Sequence, residues 1–257
     1  MTIFPSNNIS KHFADLGLVK SDTVMIHGDA GVAGQYIYNN LLNPVSSFIL
    51  NLLEYFQKGT VIVPTFTYSA TENETYIVEK TPSKIGQFSE RFRLMKDVHR
   101  SRHPIFSVCC FGKNAQYYRN SLITDCFGKD TFFDKLYINN VKILTLGCNL
   151  NQVTFAHYVE QNLKISYRYF KYFKACIKDE NQKTIEKVSV RYFVRKLNLD
   201  THLDLSDFEN NAIASKKLIK KPFGRFLAYL ISAKDFFDEA SKLIEKNEFA
   251  LIKEKKR

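Results

Sequence analysis

The sequence predicts an α/β protein in which a central mixed sheet is flanked by helices, with a small antiparallel elaboration in the C-terminal half. Short apolar strands alternate with amphipathic helices through roughly residues 6–170. Two longer strand-like stretches then lie on either side of a polar turn. No internal repeat, low-complexity stretch or long linker divides the 257 residues. We therefore expect one domain (1–257), with a core over about 6–170, the antiparallel and helical elaboration over about 171–252 and a basic tail at 253–257.

Apolar spacing and capping residues place the elements of the N-terminal part. Ile9 and Phe13 recur at helical spacing, and Gly17 ends that helix. Asn43 before Pro44 is typical of a helix start, because asparagine caps the first amides and proline fits the first turn. The elements expected here are a helix after the candidate cap Ser6, a strand at 23–27, a helix from Asn43 and a strand at 60–63 that ends at Pro64.

The alternation continues toward the C-terminus and then changes. Helices and strands continue to alternate, and a helix around His157 follows. The segments in this part are 88–95, 106–111, 115–119 and 142–146. The stretches 171–177 and 188–194 are expected to pair as an antiparallel hairpin, at the edge of the sheet or in a small subdomain. Ser232, with Asp235 three residues later, has the spacing of a capping box and predicts the last helix.

Composition narrows the class of protein. No run of about eighteen apolar residues exists, so no membrane insertion is expected, and the N-terminus lacks the pattern of a signal peptide. The five cysteines are odd in number and form no CxxC pair, which indicates neither a disulfide framework nor a zinc site. We expect no metal, and a reducing cytoplasm fits best.

The charge balance favours an anionic partner. The formal net charge is +11, and part of it lies in the basic segments 216–221 and 253–257. No nucleic-acid fold motif accompanies these lysines, and they are not set among aromatics, so we expect no nucleic-acid partner. Solvated lysine faces are the simpler interpretation of the runs. The positive net charge still favours some small-molecule substrates over others, because it would repel a polycation and attract a molecule that carries a nucleotide.

His157 and Glu160 form the pair with the clearest chemistry. If their segment is helical, the two side chains lie on one face, three residues apart. A carboxylate there can orient the imidazole and support the cation that forms when the ring takes a proton. Thr154 lies on the same face, after a strand whose carboxyl end is where open α/β sheets place their sites. On spacing alone, a surface ion pair is the commoner interpretation.

The loop that follows the first strand is a candidate phosphate site. Its glycines, at positions 28, 31 and 34, are spaced three residues apart. This spacing matches neither a Walker loop nor the G-x-G-x-x-G dinucleotide-binding motif. Small residues here can bring backbone amides close to a phosphate, although a plain tight loop explains them equally well. Asp29 would oppose a phosphate and is expected to face the acceptor of the reaction. The candidate phosphate-contacting residues of this loop are His27, Gly28, Ala30, Gly31 and Val32.

A further candidate is Ser107, which could donate a hydrogen bond, although a structural serine at a strand entry is the commoner case. His103 precedes a proline and is therefore held out of helical geometry. Cys109 and Cys110 lie in the same apolar strand and are expected in the core, without an activating neighbour. The nucleophile motif G-x-S-x-G is absent, which counts against an α/β-hydrolase.

Five segments in order carry a family resemblance: 59–68, 86–93, 100–107, 127–136 and 146–160. Together they resemble the antibiotic N-acetyltransferase family of the aminoglycoside 3-N-acetyltransferase type, which is distinct from the GCN5-related acetyltransferases. The resemblance covers roughly residues 6–170 well and the remainder loosely. It implies the fold of that family, acetyl-coenzyme A or another acyl-coenzyme A as donor, and the amine of a sugar as acceptor.

The resemblance also implies roles for particular residues. His157 would be the base that takes the proton of the attacking amine, with Glu160 holding the imidazole. Thr154 and Ser107 would lie near the thioester and pantetheine, and the loop after His27 near the phosphates of the coenzyme. The matching segments also place Thr65 and His103 among the coenzyme-binding residues.

One departure from the family pattern bears on the acceptor. The family's resistance enzymes carry a His-Ser-Ser-Leu loop after the first strand, whereas this chain has His27-Gly28-Asp29-Ala30. That version looks more like relatives associated with bacterial surface-polysaccharide synthesis. The expected acceptor is therefore a nucleotide-linked amino sugar of O-antigen or capsule synthesis. An aminoglycoside acceptor is the alternative, and a non-catalytic carbohydrate- or nucleotide-binding protein is the second. A homodimer is compatible with the sequence.

Overall fold

A computed structural model describes residues 2–253, which form three sheets and eight α-helices with two short 3₁₀ segments. The strands are β1 (Phe4–Pro5), β2 (Thr23–Gly28), β3 (Tyr36–Ile37), β4 (Thr60–Pro64), β5 (Tyr76–Ile77), β6 (His99–Arg100), β7 (Val108–Gly112), β8 (Lys142–Leu146), β9 (Arg168–Lys178), β10 (Thr184–Arg195), β11 (Ile219–Phe223) and β12 (Phe226–Ser232). The helices are α1 (Asn8–Asp15), α2 (Pro44–Tyr55), α3 (Gln87–Arg93), α4 (Ala115–Arg119), α5 (Phe132–Ile138), α6 (Phe155–Asn162), α7 (Ser206–Ala214) and α8 (Ala233–Lys246). No described helix has the length and apolar character needed to cross a membrane.

The central sheet has seven strands in the order β11-β12-β8-β2-β4-β7-β6. The three inner strands β8, β2 and β4 are parallel, and the outer strands run antiparallel to their neighbours. Parallel strands are covered on both faces in α/β proteins, and this sheet follows the rule. The carboxyl ends of β8, β2 and β4 therefore meet at one edge, and the mixed sheet expected from the sequence is confirmed.

Alternating side chains divide the core into two layers. Val24 and Ile26 of β2 pack in one hydrophobic cluster with helices α1, α2 and α3, while Met25 packs in the other with α4 to α8. The same alternation holds in β8, where Ile143 and Leu144 face opposite clusters. Helices on both faces of the sheet give the three-layer arrangement that fixes the strand ends.

Capping chemistry explains where two of the helices begin. The Asn43 side chain accepts a hydrogen bond from the Val45 amide (2.9 Å), and Ser232 accepts one from the Asp235 amide (3.2 Å). Both caps follow the expectation from the sequence. Ser6, by contrast, does not cap α1, because the residue at the cap position is Asn7, whose side chain makes no capping bond.

Three strands of the central sheet, β6, β11 and β12, were not expected from the sequence. β11 begins within the basic segment 216–221 and ends at Phe223, and β12 pairs antiparallel with both β11 and β8. The lysines of β11 are exposed on an edge strand, where charge discourages pairing with another chain. Part of the basic run is therefore a sheet edge. The tail predicted at 253–257 lies outside the described residues, except for Lys253.

The long strands β9 and β10 form the expected antiparallel hairpin. They pair over eleven residues, and with β5 they make a separate three-stranded sheet. Asp125 ties this hairpin to the body of the protein, because its Oδ2 accepts a hydrogen bond from Arg191 Nε of β10 at 2.8 Å. We call β9 and β10 with their connecting turn the hairpin arm.

Candidate active site

A cavity opens where the three parallel strands end, as expected for an open α/β sheet. Its volume is about 510 Å³. Residues that follow β2, β4 and β8 supply most of its wall, and helix α3 closes one side. We call it the strand-end cavity; it is lined by His27, Gly28, Asp29, Pro64, Phe66, Tyr68, Ile85, Ser89, Gly147, Cys148, Asn149, Gln152 and Thr154.

A second cavity of about 810 Å³ lies beside the first, between the start of α6 and the hairpin arm. Tyr68, Asn149 and Gln152 line both cavities, so the two spaces meet at these three side chains. We call it the hairpin cavity; its other lining residues are Thr71, Asn151, His157, Arg168, Tyr169, Lys171, Phe173, Tyr192, Val194, Arg195, Leu197, Thr201, His202, Leu203 and Lys253. Two adjoining cavities suit a reaction between two substrates.

His157 and Glu160 meet as their helical spacing predicts. The imidazole Nδ1 lies 2.6 Å from Glu160 Oε2, and the His157 side chain is 19% exposed on the wall of the hairpin cavity. Glu160 is fully buried, and the Tyr167 hydroxyl donates a hydrogen bond to its Oε1 at 2.8 Å. A carboxylate only accepts hydrogen bonds, so Nδ1 carries the proton and Nε2 is the basic nitrogen.

Arg168 is a third member of this cluster. It is the first residue of β9; its Nε lies 2.8 Å from Glu160 Oε2 and its Nη2 3.0 Å from His157 Nδ1. With Nδ1 protonated, the guanidinium is a close positive neighbour of the imidazole. Its charge is balanced by Glu160, which fixes both groups in an ion pair buried beneath the cavity wall.

The surroundings keep the His157 imidazole neutral. Its pKa is lowered, first by burial and then by the positive charge of Arg168, which together outweigh the opposing effect of Glu160. Arg195 also lowers the pKa of His157. Burial alone would raise the pKa of Glu160, but Arg168 and His157 reverse the shift and hold this carboxyl ionised. A neutral imidazole at neutral pH is able to accept a proton.

His27 ends β2 with its side chain on the wall of the strand-end cavity. The residue is 8% exposed, and its Nε2 is buried without a hydrogen-bond partner among residues 2–253. Burial lowers its pKa to about 4. Thr145, its register partner on β8, also has a buried hydroxyl without a partner in the described chain. Such groups need a hydrogen bond from water or from a bound molecule, which fits the expected coenzyme contact.

The expected phosphate loop is folded against itself. Asp29 Oδ1 accepts a hydrogen bond from the Gly31 amide at 2.6 Å, and the Asp29 carbonyl accepts one from the Val32 amide at 3.2 Å. These bonds cap the 3₁₀ segment Ala30–Gln35, so two of the amides expected to bind phosphate are already used. Of this loop, His27, Gly28 and Asp29 line the strand-end cavity, whereas Ala30, Gly31 and Val32 do not line either cavity.

Three other predicted coenzyme residues form hydrogen bonds within the protein interior. The Ser107 hydroxyl is fully buried and donates to the Thr65 carbonyl at 2.7 Å, while the Thr65 hydroxyl donates to the Ser107 carbonyl at 3.2 Å. His103 Nδ1 accepts from the Ile105 and Phe106 amides and so fixes the turn after Arg102. None of the three side chains lines either cavity. Their contacts indicate a structural role.

Thr154 and His157 face different cavities. Thr154 lines the strand-end cavity, and the His157 amide bonds to its carbonyl at 3.0 Å. Thr154 and His157 can both lie near the reacting atoms only if the reaction takes place where the two cavities meet. Tyr68 lies at that junction with a φ of 56°, a left-handed conformation that is uncommon for an aromatic residue and is often found at functional sites.

Mild acid should destabilise the protein because of its buried neutral histidines. Burial lowers the pKa of both His27 and His103 to about 4, whereas unfolded histidine titrates near 6.5. The unfolded chain therefore binds more protons between these values, and stability falls as the pH decreases from about 6.5 to about 4. By linkage each histidine removes about 2 kcal/mol between pH 7 and pH 5. Urea unfolding at the two pH values measures the effect.

The exposed residue His99 provides the control for this measurement. His99→Gln should leave the pH dependence unchanged, and His27→Gln should reduce it by about the contribution of one histidine. Equal unfolding free energies at pH 7 and pH 5 for the wild type would contradict the buried neutral state of these rings.

No group of three or more metal-ligating side chains occurs in the described part of the chain. The cysteines expected in the core, Cys109 and Cys110, are buried, and burial raises the pKa of Cys109 to about 11. A buried protonated thiol is a poor nucleophile. The site thus consists of two adjoining cavities and a buried His-Glu-Arg cluster, an arrangement suited to group transfer with a general base.

Comparisons with known proteins identify the class of this enzyme. The model of the aminoglycoside 3-N-acetyltransferase family matches residues 25–245. The SPbeta prophage-derived aminoglycoside N(3')-acetyltransferase-like protein YokD of Bacillus subtilis (strain 168) is 24% identical over 187 residues, which cover 63% of this chain and 67% of that protein.

Solved structures share the fold. The crystal structure of YokD has a TM-score of 0.78 at 20% identity, covering 98% of this chain and 97% of that one. AAC-IIIb in a binary complex with CoASH has a TM-score of 0.78 at 18% identity, covering 95% and 97%. Aminoglycoside acetyltransferase AAC(3)-Xa has a TM-score of 0.79 at 19% identity, covering 96% and 94%.

The chain belongs to the aminoglycoside 3-N-acetyltransferase family. It is an acyl-coenzyme A-dependent N-acyltransferase, and acyl-coenzyme A is its co-substrate. The family resemblance stated from the sequence is thereby confirmed.

Proposed function

We propose that this enzyme transfers an acetyl group from acetyl-coenzyme A directly to a primary amine of an amino sugar, with His157 as the general base. The observation that carries the proposal is the His157 imidazole on the wall of the hairpin cavity, bonded at 2.6 Å to the buried Glu160. The strand-end cavity would hold the thioester arm of the donor and the hairpin cavity the acceptor.

The reaction needs no covalent enzyme intermediate. The amine nitrogen attacks the thioester carbon, a C–N bond forms, and the carbonyl π electrons move to oxygen. His157 Nε2 takes the proton that the attacking nitrogen loses, while Nδ1–H remains bonded to Glu160. The tetrahedral species then expels the coenzyme thiolate, which takes the proton from His157 Nε2 and leaves the imidazole neutral again. Placing two substrates together and supplying a base account for the rate.

The junction residues would stabilise the tetrahedral oxyanion. Tyr68, Asn149 and Gln152 line both cavities, and each carries a hydrogen-bond donor. Donors aimed at the developing charge act strongly where water is excluded. The left-handed backbone of Tyr68 supports this assignment, because strained geometry is maintained when the surrounding fold requires that side chain in one place.

Two acceptor classes fit an amino-sugar N-acetyltransferase. The family and the relatives named above favour an aminoglycoside, since their names refer to that substrate class. A nucleotide-linked amino sugar is the second candidate. The specific observation in its favour is the lining of the hairpin cavity, which contains lysines and arginines and no carboxylate among the described residues.

An assay of thiol release decides between enzyme and binding protein and ranks the acceptors. The purified chain would be incubated with acetyl-coenzyme A and either an aminoglycoside, a free amino sugar or a nucleotide-linked amino sugar. We expect amine-dependent release of free thiol at rates well above background hydrolysis. If every acceptor binds and none releases thiol, the protein is a non-catalytic binding protein on this fold.

A further inference from the structure

We propose that the hairpin cavity contains a subsite for an anionic group, formed by Lys171 and Arg195 of the hairpin arm, and that the acceptor is an amino sugar bearing a phosphate or carboxylate. This inference rests on the proposed function and specifies its substrate class. It follows from the placement of charge around the His157 side chain.

The charged side chains that line the hairpin cavity have one sign. Lysine and arginine side chains project from the arm and from the last described turn, and the lining includes neither aspartate nor glutamate among residues 2–253. The cationic lining residues are Arg168, Lys171, Arg195 and Lys253. An acceptor with several ammonium groups would place like charges within a few ångströms of them, which is unfavourable at any effective dielectric constant of a cleft.

Arg168 is not the group that meets the acceptor's charge. It is 3% exposed, and the ion pair with Glu160 uses its guanidinium. Lys171 and Arg195, in contrast, are exposed and form no ion pair with a carboxylate of the described residues. The Lys171 ammonium lies 5.1 Å from the centre of the Phe173 ring, which keeps it on the cavity side of β9.

Arg195 is held in place by its neighbour. Asp200 Oδ1 lies 2.6 Å from His202 Nδ1, and the carboxylate can only accept, so His202 Nε2 accepts a hydrogen bond from Arg195 Nη1 at 3.0 Å. The Asp200 carboxylate thus bonds to His202, and Asp200 does not line the cavity. A guanidinium fixed in this way presents its remaining N–H groups in the planar fork that suits phosphate or carboxylate.

An independent observation also points to a ligand. Thr201 lines the same cavity, the residue is 2% exposed, and its buried Oγ1 has no hydrogen-bond partner in the described chain. A buried hydroxyl without a partner is costly, and an anionic oxygen in the cavity would accept its hydrogen bond. Aromatic side chains of the arm, Tyr169, Phe173 and Tyr192, provide faces for a sugar or a base.

The test compares acceptors that differ in charge. Thiol release from acetyl-coenzyme A would be measured with glucosamine, glucosamine 1-phosphate, glucosamine 6-phosphate, a UDP-linked amino sugar and a polycationic aminoglycoside. We expect higher kcat/KM for the anionic acceptors than for glucosamine, and the lowest for the polycation. A preference for the UDP-linked sugar over the phosphosugars identifies a nucleotide as the source of the anion, and the reverse identifies a simple phosphate ester.

Charge-removing variants then locate the subsite. The assay is run well above the ordinary histidine pKa, so that His157 stays neutral when the charge of Arg195 is removed. Lys171→Gln and Arg195→Gln should then each lower kcat/KM for the best anionic acceptor by roughly 10–100-fold, through KM, while kcat/KM for glucosamine changes less than about twofold. Lys174→Gln is the matched control, because Lys174 is an exposed lysine of β9 that does not line the hairpin cavity. The subsite is refuted if the polycation is the best acceptor, or if the variants affect charged and neutral acceptors equally.

Failure of the proposed function gives a different result. If no amine of any charge releases thiol, that function is wrong, and the subsite is then decided by calorimetric binding of UDP and of the aminoglycoside to the wild type and to Arg195→Gln. Salt-sensitive binding of UDP that Arg195→Gln weakens supports the anion subsite, and binding of the polycation alone overturns it.

Discussion

Replacing His157 by alanine is expected to lower kcat for acetyl transfer by roughly 10²–10⁴-fold, the usual contribution of a positioned general base. The imidazole is the one group in the described hairpin cavity whose geometry gives it both a free basic nitrogen and a buried carboxylate partner. The KM for acetyl-coenzyme A should change little, because His157 does not line the strand-end cavity. Steady-state thiol release at saturating donor measures both quantities.

The pH profile distinguishes a base from a structural residue. The wild-type kcat/KM should fall at acid pH as His157 becomes protonated, with the midpoint below the ordinary histidine pKa because burial and Arg168 lower it. In His157→Ala this acid limb should disappear. His99→Ala, at an exposed histidine of β6, should keep wild-type turnover and profile. Unchanged turnover in His157→Ala would refute the assignment.

Replacing Glu160 by alanine is expected to lower the free energy of unfolding by about 3–5 kcal/mol, the cost of leaving a buried charge without its partner. Glu160 is fully buried between His157, Tyr167 and the Arg168 guanidinium. Its removal leaves the charge of Arg168 uncompensated beneath the hairpin cavity. Urea denaturation at pH 7 measures the loss, and turnover should also fall because the imidazole loses its support.

A paired variant is the control for this prediction. Glu160→Leu combined with Arg168→Met removes both charges and should recover most of the lost stability without recovering activity. The contribution of the wild-type pair should also depend on pH: the pKa of Glu160 is lowered in the folded protein, so the stabilisation is present above its unfolded value and is lost as the pH falls through the folded one. A loss below about 1 kcal/mol in Glu160→Ala would show that the cluster is not a buried ion pair.

The proposed catalytic pair was predictable because it is local. His157 and Glu160 lie three residues apart in α6, and helical geometry alone brings them together. Arg168 was not predictable, since it lies on β9 and reaches the pair only through the turn after α6, where Lys164 adopts a φ of 52°. No periodicity relates a residue of the arm to a helix. Lys171 and Arg195 were missed for the same reason, because strand pairing brings them to one cavity.

Several predicted coenzyme residues line neither cavity, for a common physical reason. Ser107, Thr65 and His103 carry groups that serve equally well as interior hydrogen-bond partners or as ligand contacts, and the sequence does not show which side of a wall they face. In the loop after His27, the sequence itself shows why the expected phosphate contact is not free. An aspartate two residues before an amide commonly caps it, as Asp29 does for Gly31, so the sequence already contained a competitor for the expected phosphate.

The fold was predicted better where apolar patterns are uninterrupted. Strands β2, β4 and β8 are buried on both faces and read as short apolar runs, so their positions followed from the sequence. β11 was hidden because an edge strand tolerates lysines and proline, which break the apolar pattern. Helix α7 has two buried residues, Phe208 and Ala212, and so gives a weak helical signal.

The hairpin arm supplies one wall of the proposed acceptor space from a sheet that is separate from the sheet holding the donor end. Exposed side chains at alternate positions along the arm, such as Tyr169 and Lys171, face that space and do not belong to the hydrophobic core. Selection can therefore exchange them one at a time while the thioester end keeps its shape. Substitutions confined to the hairpin arm would therefore be enough to change which amine the enzyme accepts.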